Sequence, residues 1–242
     1  MKLIKFFQLS ALFSMASAIP ISGNEDGIPE LPDLDDLPSQ LLKRGDGKSS
    51  GSPKDLIIDL SKNTNAYETF EANCMMILCF GANITLKRDS PNHRKGHYIE
   101  SGASIKPFTD AEMSKRGVKR KYADAISAEE YPHESTVQGG KGALVIGVSR
   151  LSQRSQGQYM KTAYKRYGVD PGDWFTSSYI NIPSKSVYCK ALMKNPPDTS
   201  VCFNKGPTDI VSLTYEKDWD RDGNDPFTFK NLVAGVDKWS PP

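Results

Sequence analysis

Apolar positions along the chain fall into a few short groups that predict alternating strands and helices. Runs rich in branched apolar residues predict three strands, over residues 55–60, 143–148 and 173–182. Large apolar residues at helical spacing predict two helices, over 65–78 and 152–167. Residues 86–121 are polar and rich in Ser, Gly, Asn and Pro, which predicts a long irregular segment outside the core.

This pattern predicts an α+β fold, with a small mixed sheet flanked by helices and joined by long irregular loops. The composition, 38% hydrophobic and 25% charged, excludes a disordered tail or a fibre. No internal repeat is visible, and residues 55–242 are within the usual size of one domain. From Cys189 onward prolines and glycines obscure the pattern, so we interpret this part as an irregular C-terminal extension.

The first residues have the features of a secretory signal peptide. Lys2 and Lys5 precede a short apolar stretch that ends in Ala-Ser-Ala at positions 16–18. The stretch is too short to span a bilayer, and no other apolar run is long enough. We therefore predict that residues 1–18 are removed and that the product is extracellular, without a membrane anchor.

A propeptide is predicted to follow. Residues 19–44 are acidic and proline-rich and end in the dibasic pair Lys43-Arg44, where a trimming protease would cut. Residues 45–54, rich in Gly and Ser, then predict a flexible arm before the domain. An exposed dibasic pair that is never cleaved is the alternative.

Charge is unevenly distributed along the chain. The whole sequence has 31 basic and 29 acidic residues, for a net charge of +2, and removal of residues 1–44 raises this to +4. Six bases and no acid lie between Lys141 and Val169. A basic face of this kind suits a phosphate backbone, although a solvated helix face has the same composition.

The four cysteines, Cys74, Cys79, Cys189 and Cys202, predict two disulfides in an exported protein. Three pairings are open, and long-range pairs are as plausible as local loops. A zinc site is the chemical alternative, which the export signal disfavours. Asn83 begins the sequence Asn-Ile-Thr, which predicts N-glycosylation on an exposed loop.

The stretch with the most chemistry is residues 128–143, Ala-Glu-Glu-Tyr-Pro-His-Glu-Ser-Thr-Val-Gln-Gly-Gly-Lys-Gly-Ala. Pro132 disfavours helical geometry at Tyr131, so we expect Glu129 and Glu130 at a chain turn. Clustered carboxylates on an irregular segment can hold a hard cation, which activates water and neutralises phosphate charge. An ordinary acidic turn is the alternative.

This stretch resembles the Asp-Glu-Tyr/Trp-Pro…Glu-Gly-Gly motif of the NucA/NucB deoxyribonucleases, small secreted bacterial nucleases whose domain also occurs in secreted fungal proteins. In that family a strand follows this motif. After the strand come an acidic residue, then an Asn or Gln, and then a Gln-Gly pair that begins a helix. The matching positions here are Glu130-Tyr131-Pro132, Gly139-Gly140, the strand over 143–148 and Gln156-Gly157. The resemblance covers residues 55–182 and extends to the two cysteines on the first helix.

Three positions depart from the family pattern. Glu129 stands where the family has Asp, Gln138 where it has Glu, and Ser152 where an acid precedes Gln153. The longer arm of Glu129 shifts its carboxylate, and ångström errors in placement lower rates. The other two changes remove negative charge from the metal site that the resemblance implies.

The resemblance implies a secreted endonuclease that hydrolyses DNA, with RNA left open as a substrate, and that uses Mg²⁺ or Mn²⁺. Glu129 and Glu130 would hold the ion, with Gln153 beside it and His133 as a candidate general base. The predicted phosphate-binding residues are Lys141, Arg150, Arg154, Lys161 and Lys165. The alternative is a binding protein on the nuclease fold, such as a fungal effector or toxin, with little or no catalysis.

Three other features favour no additional site. His93 and His97 have zinc-ligand spacing for a helix, but Pro91, Asn92 and Gly96 predict a loop. Residues 218–224 resemble the start of a calcium loop that lacks the final glutamate, because the twelfth position is Phe229. A carbohydrate module would use Trp174, Trp219 and Trp239 as stacking platforms, but isolated tryptophans more often belong to a core.

Overall fold

The computed structural model describes residues 45–218 and the backbone of residues 229–231. The predicted signal peptide and propeptide, Trp219, Trp239 and most of the calcium-like segment lie outside the described residues. The strands are β1 (Lys54–Asp59), β2 (Thr85–Lys87), β3 (Ser127–Tyr131), β4 (Leu144–Val148), β5 (Trp174–Ile180), β6 (Tyr215–Lys217) and β7 (Phe229–Asn231). The helices are α1 (Tyr67–Phe80), α2 (Arg94–Glu100), α3 (Asp110–Lys115), α4 (Arg150–Arg166) and α5 (Tyr188–Leu192).

The predicted α+β class is confirmed, with two sheets in place of one. A mixed sheet has the order β1-β5-β2, in which β1 runs parallel and β2 antiparallel to β5. An antiparallel sheet has the order β3-β4-β6-β7. The apolar run of β1 is buried over its last four residues, as expected of a covered strand.

The larger core joins the mixed sheet to α1 and α4. Phe70 of α1 packs edge to face on Tyr159 of α4, with ring centroids 5.5 Å apart, and the Tyr159 hydroxyl donates to Ile57 O of β1 at 2.7 Å. Two disulfides, Cys74–Cys189 and Cys79–Cys202, tie α1 to α5 and to a 3-10 turn at Thr199–Cys202. The predicted oxidation of all four cysteines is confirmed, with both pairs long-range, and a zinc site at these residues is excluded.

A smaller core corrects the prediction for residues 86–121. This segment contains β2, α2 and α3, and its Phe108 and Met113 are buried against Val145 of β4 and Tyr215 of β6. Gly147 leaves room for the Phe108 ring, because a β-carbon there would lie 3.0 Å from it. The prediction failed because these apolar residues are widely spaced and lack helical periodicity.

Residues 45–54, predicted as a flexible arm, form a hydrogen-bonded turn that leads into Lys54, the first residue of β1. Gly45 N donates to Pro53 O at 3.1 Å, and Gly47 O accepts from Trp174 N at 2.7 Å. Lys48 forms an ion pair with the buried Asp173 at 3.1 Å. The turn is therefore an extension of β5 rather than a free arm.

The antiparallel pair β3 and β4 followed by α4 is the unit that positions the predicted site. Ser149 caps α4, its Oγ accepting from Ser152 N at 3.2 Å. The apolar side of α4, including Tyr159, Ala163 and Tyr164, is buried. No helix within the described residues is long and apolar enough to cross a membrane.

Candidate active site

A cavity of about 460 Å³ lies along β3, and four elements contribute to its wall. β3 and the loop after it contribute Glu129, Glu130, His133 and Glu134. Helix α4 contributes Arg150, Gln153, Arg154, Gln156 and Lys161, and α2 contributes Arg94 and Tyr98. We call this space the carboxylate cavity.

Glu129 and Glu130 enter the cavity from opposite faces of one strand. They were expected at a chain turn, but both belong to β3, which ends at the residue before Pro132. Successive side chains of a strand point to opposite faces, and Glu129 is paired with Ile146 of the larger core while Glu130 is paired with Val145 of the smaller core. Within the described sheet β3 is an edge strand, and both carboxylates line the cavity.

Glu129 lies in a small polar cluster with His133 and Gln156. Its Oε1 accepts from Gln156 Nε2 at 3.2 Å and is 3.6 Å from His133 Nδ1, while Gln156 Nε2 is 3.3 Å from the same imidazole nitrogen. Burial raises the pKa of Glu129, whereas His133 and the buried amide of Asn73 lower it. The cluster therefore fixes both a carboxylate and an imidazole at the cavity wall.

Glu130 is buried on the other face of β3. The Ser101 hydroxyl donates to Glu130 Oε2. Burial raises the pKa of Glu130 to about 8; the Ser101 hydrogen bond opposes this, and the charges of Glu134 and Glu129 add to it. Without a nearby positive charge, this carboxyl is therefore largely protonated at neutral pH.

Gln153 lies in the cavity wall with both ends of its amide engaged by β3. It accepts a hydrogen bond from the Ser127 hydroxyl and donates one to Ala128 O. The side chain thus joins the first turns of α4 to the edge strand. It orients the wall and is less suited than the carboxylates to bind an ion directly.

The predicted basic residues divide into two groups. Arg150, Arg154 and Lys161 line the cavity from α4, where spacings of four and seven residues lie on one face. Lys141, on the loop before β4, and Lys165, further along α4, are exposed and are not part of the wall. Of the five basic residues predicted to bind phosphate, only Arg150, Arg154 and Lys161 therefore lie near the carboxylates.

Two departures from the family motif do not face the carboxylate cavity, contrary to the sequence interpretation. Gln138 Oε1 accepts from Lys87 N at 3.0 Å, and its side chain lines a separate hollow near Gly142. The Ser152 hydroxyl is buried 2.6 Å from Thr69 Oγ1 of α1. Neither substitution removes charge from the cavity, so only Glu129 changes its chemistry.

Sequence reasoning missed several wall residues, above all those of α2. His93 and His97 were expected in a loop, yet His97 lies in α2 and His93 immediately precedes it. His93 Nδ1 is 3.0 Å from Asp89 Oδ2 and His97 Nε2 is 3.7 Å from it. These contacts stabilise a short helix that local propensity does not predict. The only feature of the sequence that indicated the cavity wall was the motif around Glu134 and Gln156.

The cavity has oxygen donors suited to a hard cation, but it is not a cage of protein ligands. In residues 45–218, no three His, Cys, Asp or Glu side chains are grouped so that they could hold a metal ion. Mg²⁺ needs fewer protein ligands, because it keeps several waters and binds through one or two carboxylates plus substrate phosphates. Two buried carboxylates with raised pKa values, which a nearby cation would lower, fit such an ion.

Comparison with known proteins places this site in a family. The family model described as Deoxyribonuclease NucA/NucB matches residues 73–178, from α1 to β5, a span that contains the whole wall of the carboxylate cavity. No curated protein matches the chain. Residues 73–178, which carry the carboxylates, the basic helix and the α2 wall, therefore form a domain of the NucA/NucB deoxyribonuclease family.

Proposed function

We propose that the chain is a secreted endonuclease that hydrolyses phosphodiester bonds of DNA and depends on Mg²⁺ or Mn²⁺. The observation that supports this most directly is the carboxylate cavity, where Glu129, Glu130 and His133 face Arg150, Arg154 and Lys161 of α4. Family membership supports the same class of reaction. The Arg and Lys side chains attract the phosphate backbone, and the carboxylates supply the charge that a divalent ion needs.

Glu130 and Glu129 are the residues that would hold the ion. An ion bound there would neutralise phosphate charge and lower the pKa of an attacking water. Because burial raises the pKa of Glu130 to about 8, this carboxyl must lose a proton before it binds a cation. Activity should therefore rise with pH toward that value.

His133 is the best-placed acceptor for the proton of the attacking water. The water oxygen would form a bond to phosphorus, the ester P–O bond would break, and the leaving oxygen would take a proton from solvent. Imidazole is the side chain that most often acts as a general base, and His133 Nδ1 lies 3.6 Å from Glu129 Oε1 at the cavity wall. Gln156 holds the two groups together through its amide nitrogen.

Nicking of supercoiled plasmid by the purified mature chain tests the proposal. We expect nicking with Mg²⁺ or Mn²⁺, loss of nicking with chelator, and recovery when the ion is restored. Parallel digestion of a single-stranded RNA determines whether RNA is also a substrate. If the folded chain nicks under none of these conditions, the endonuclease proposal is wrong.

A second candidate is a binding protein that keeps the nuclease fold, such as a fungal effector or toxin. The longer arm of Glu129 and the buried, protonation-prone Glu130 are the observations that favour it. This protein would bind DNA with affinity that falls steeply with salt, through Arg150, Arg154 and Lys161, and would not cleave it. Binding without nicking would identify this candidate.

We propose secretion on the basis of the N-terminal sequence, and the two disulfides support it because they persist in oxidising compartments. Glycosylation is proposed at Asn83, which is exposed between α1 and β2. N-terminal sequencing of the secreted protein should begin at Gly45. A product that begins at Ile19 would contradict the second cleavage.

A further inference from the structure

Arg94, the first residue of α2, presents its guanidinium to the carboxylate cavity. Arg94 and Tyr98 are four residues apart, on one face of α2, and both belong to the cavity wall. Arg94 is also close to Tyr164 of α4. Burial raises the pKa of Tyr164 to about 12, and a hydrogen bond with Ser135 and the charges of Arg88 and Arg94 counteract that rise. The guanidinium therefore lies near the α4 side of the cavity.

The guanidinium of Arg94 lacks a protein partner among the described residues. Its Nε is buried without a hydrogen-bond acceptor, and the side chain forms no ion pair in this part of the chain, although Glu130 and Glu134 line the same cavity. The Nε of Arg88 is likewise buried without an acceptor, but the rest of that guanidinium stacks on Tyr164 and donates to Val169 O. Burying an unpaired charged donor costs free energy, so the position of Arg94 suits an acceptor that is not part of the protein.

Specific contacts hold α2 in the place that brings Arg94 to the cavity. His97 Nδ1 is 3.0 Å from Glu134 O, which joins α2 to the loop after β3. The backbone of Gly140 has φ of +87° and approaches α2 so closely that a β-carbon there would lie 3.2 Å from His97 Cα. The second glycine of the Gly139-Gly140 motif thus makes room for α2.

We infer that Arg94 binds the scissile phosphate in the carboxylate cavity and stabilises the negative charge that develops on it during attack. This inference rests on the proposed nuclease function. A guanidinium presents parallel N–H donors that match two phosphate oxygens, which a lysine ammonium does not. Fixed donors aimed at developing charge act more strongly in the transition state than in the ground state, so their loss lowers kcat.

Steady-state cleavage by Arg94→Ala, Arg94→Lys and Lys95→Ala tests the inference. Lys95 is the matched control, because it is the next cation of α2 but is exposed outside the cavity wall. We expect kcat to fall about a hundredfold in Arg94→Ala and about tenfold in Arg94→Lys, with Lys95→Ala within about twofold of the parent. Guanidinium ion at millimolar concentration should partly restore Arg94→Ala alone. Parental kcat in both Arg94 variants, or a loss in Arg94→Ala that guanidinium does not restore, would overturn the assignment.

Binding of thymidine 3′,5′-bisphosphate in chelator, measured by calorimetry, tests Arg94 independently of catalysis. Folding of each variant is checked by circular dichroism, and Arg94→Lys keeps the packing of the side-chain stem if Arg94→Ala unfolds. Weaker binding in Arg94→Lys than in Lys95→Ala supports the phosphate site even if the parent does not nick DNA, which would reject only the proposed nuclease. Equal binding by the two variants rejects the phosphate site even if the parent is an active nuclease.

Discussion

Two buried glutamates, Glu71 and Glu130, lie in different parts of the molecule. Their hydrogen-bond donors and neighbouring charges differ, and this difference separates a structural role from a role in the site. Glu71 of α1 accepts hydrogen bonds from the Ser186 hydroxyl at 2.5 Å and from the backbone nitrogens of Val187, Tyr188 and Cys189 at 2.6 to 3.3 Å. Glu130 of β3 has one side-chain donor, the Ser101 hydroxyl, and two carboxylates whose charges raise its pKa. Four donors satisfy Glu71, whereas Glu130 lacks the positive charge that would stabilise its ionised form.

The surroundings of the two residues differ in the same way. Glu71 lies beside Cys74–Cys189 and binds the first residues of α5, so its hydrogen bonds and the disulfide fix the same contact. Glu130 lies on an edge strand at a cavity whose other wall is basic. A carboxylate saturated with protein donors is a structural group, whereas one that is buried and under-satisfied at a cavity has capacity left for a cation or a proton.

Removing the Cys79–Cys202 disulfide should destabilise the protein more than any other change proposed here. With Cys74–Cys189 intact, the bond closes a loop of only roughly 20 residues, which gives a loss of about 3 kcal/mol in the free energy of unfolding. Denaturant unfolding of Cys79→Ala/Cys202→Ala measures it. Because the disulfide contacts α1 and the 199–202 turn rather than the cavity, nicking per folded molecule should stay within about twofold of the parent. If the folded variant nicks DNA a hundredfold more slowly than the parent, the disulfide-linked region and the cavity are not independent.

Glu130→Gln should slow nicking strongly while stabilising the protein at high pH. Loss of one ion ligand should slow nicking by about a hundredfold or more. Between pH 4.5 and about 8 the folded parent keeps a proton on Glu130 that the unfolded chain releases, so the parent loses stability as pH rises through this window. Glutamine does not titrate, so in chelator at pH 8 the variant should be more stable by roughly 4 kcal/mol.

The matched control for Glu130→Gln is Glu112→Gln, which changes a surface ion pair with Lys115. This control should leave the rate of nicking within about twofold of the parent. It should change the free energy of unfolding by less than about 0.5 kcal/mol. Thermal unfolding at pH 5 and pH 8 measures the stabilities. Parental nicking by Glu130→Gln would reject the metal-carboxylate assignment.

Glu71→Gln should show the opposite pattern. The amide nitrogen would face a backbone N–H or the Ser186 hydroxyl, so charge-assisted hydrogen bonds at the start of α5 are lost, at a cost of about 2–3 kcal/mol. Nicking by the folded fraction should equal that of the parent. Urea unfolding together with nicking at low temperature separates the two effects, and a stable but inactive Glu71→Gln would contradict the structural role.

The disulfide-linked region was the more predictable of the two from sequence. Its strands and helices have strong local patterns, and β1, α1 and α4 begin and end within two residues of the predicted positions. The smaller core was missed, because Phe108 and Met113 belong to no periodic run and their partners Val145 and Tyr215 are far away in the sequence. The pairing of the four cysteines also required the structure, since spacing alone leaves three possibilities.

The site was predicted only where residue type and local motif coincide. Glu129, Glu130, His133 and Gln153 all line the cavity, because they lie on β3, the loop after it and the first turns of α4. The wall formed by α2 depends on His97, Gly140 and Glu134, which come together only in three dimensions. The prediction that Gln138 and Ser152 remove negative charge from the site was wrong for the same reason, because both side chains turn away from the cavity.

Glu134→Gln should have only a small effect on nicking. It tests directly whether the charges around Glu130 set its pKa. The Glu134 carboxylate raises the pKa of Glu130 by like-charge repulsion, second to burial among the raising causes, while its backbone carbonyl faces His97 Nδ1 at 3.0 Å. Substitution by glutamine removes the charge and leaves the carbonyl in place. The pKa of Glu130 should therefore fall, by less than about one pH unit, because a charged neighbour at the cavity surface is partly screened by solvent. The acidic limb of the pH–rate profile should move to lower pH by the same amount, with the rate at pH 8 within about twofold of the parent. An unchanged acidic limb would mean that a group other than Glu130 controls ion binding. Glu112→Gln, which is outside the cavity wall, should leave the pH–rate profile unchanged.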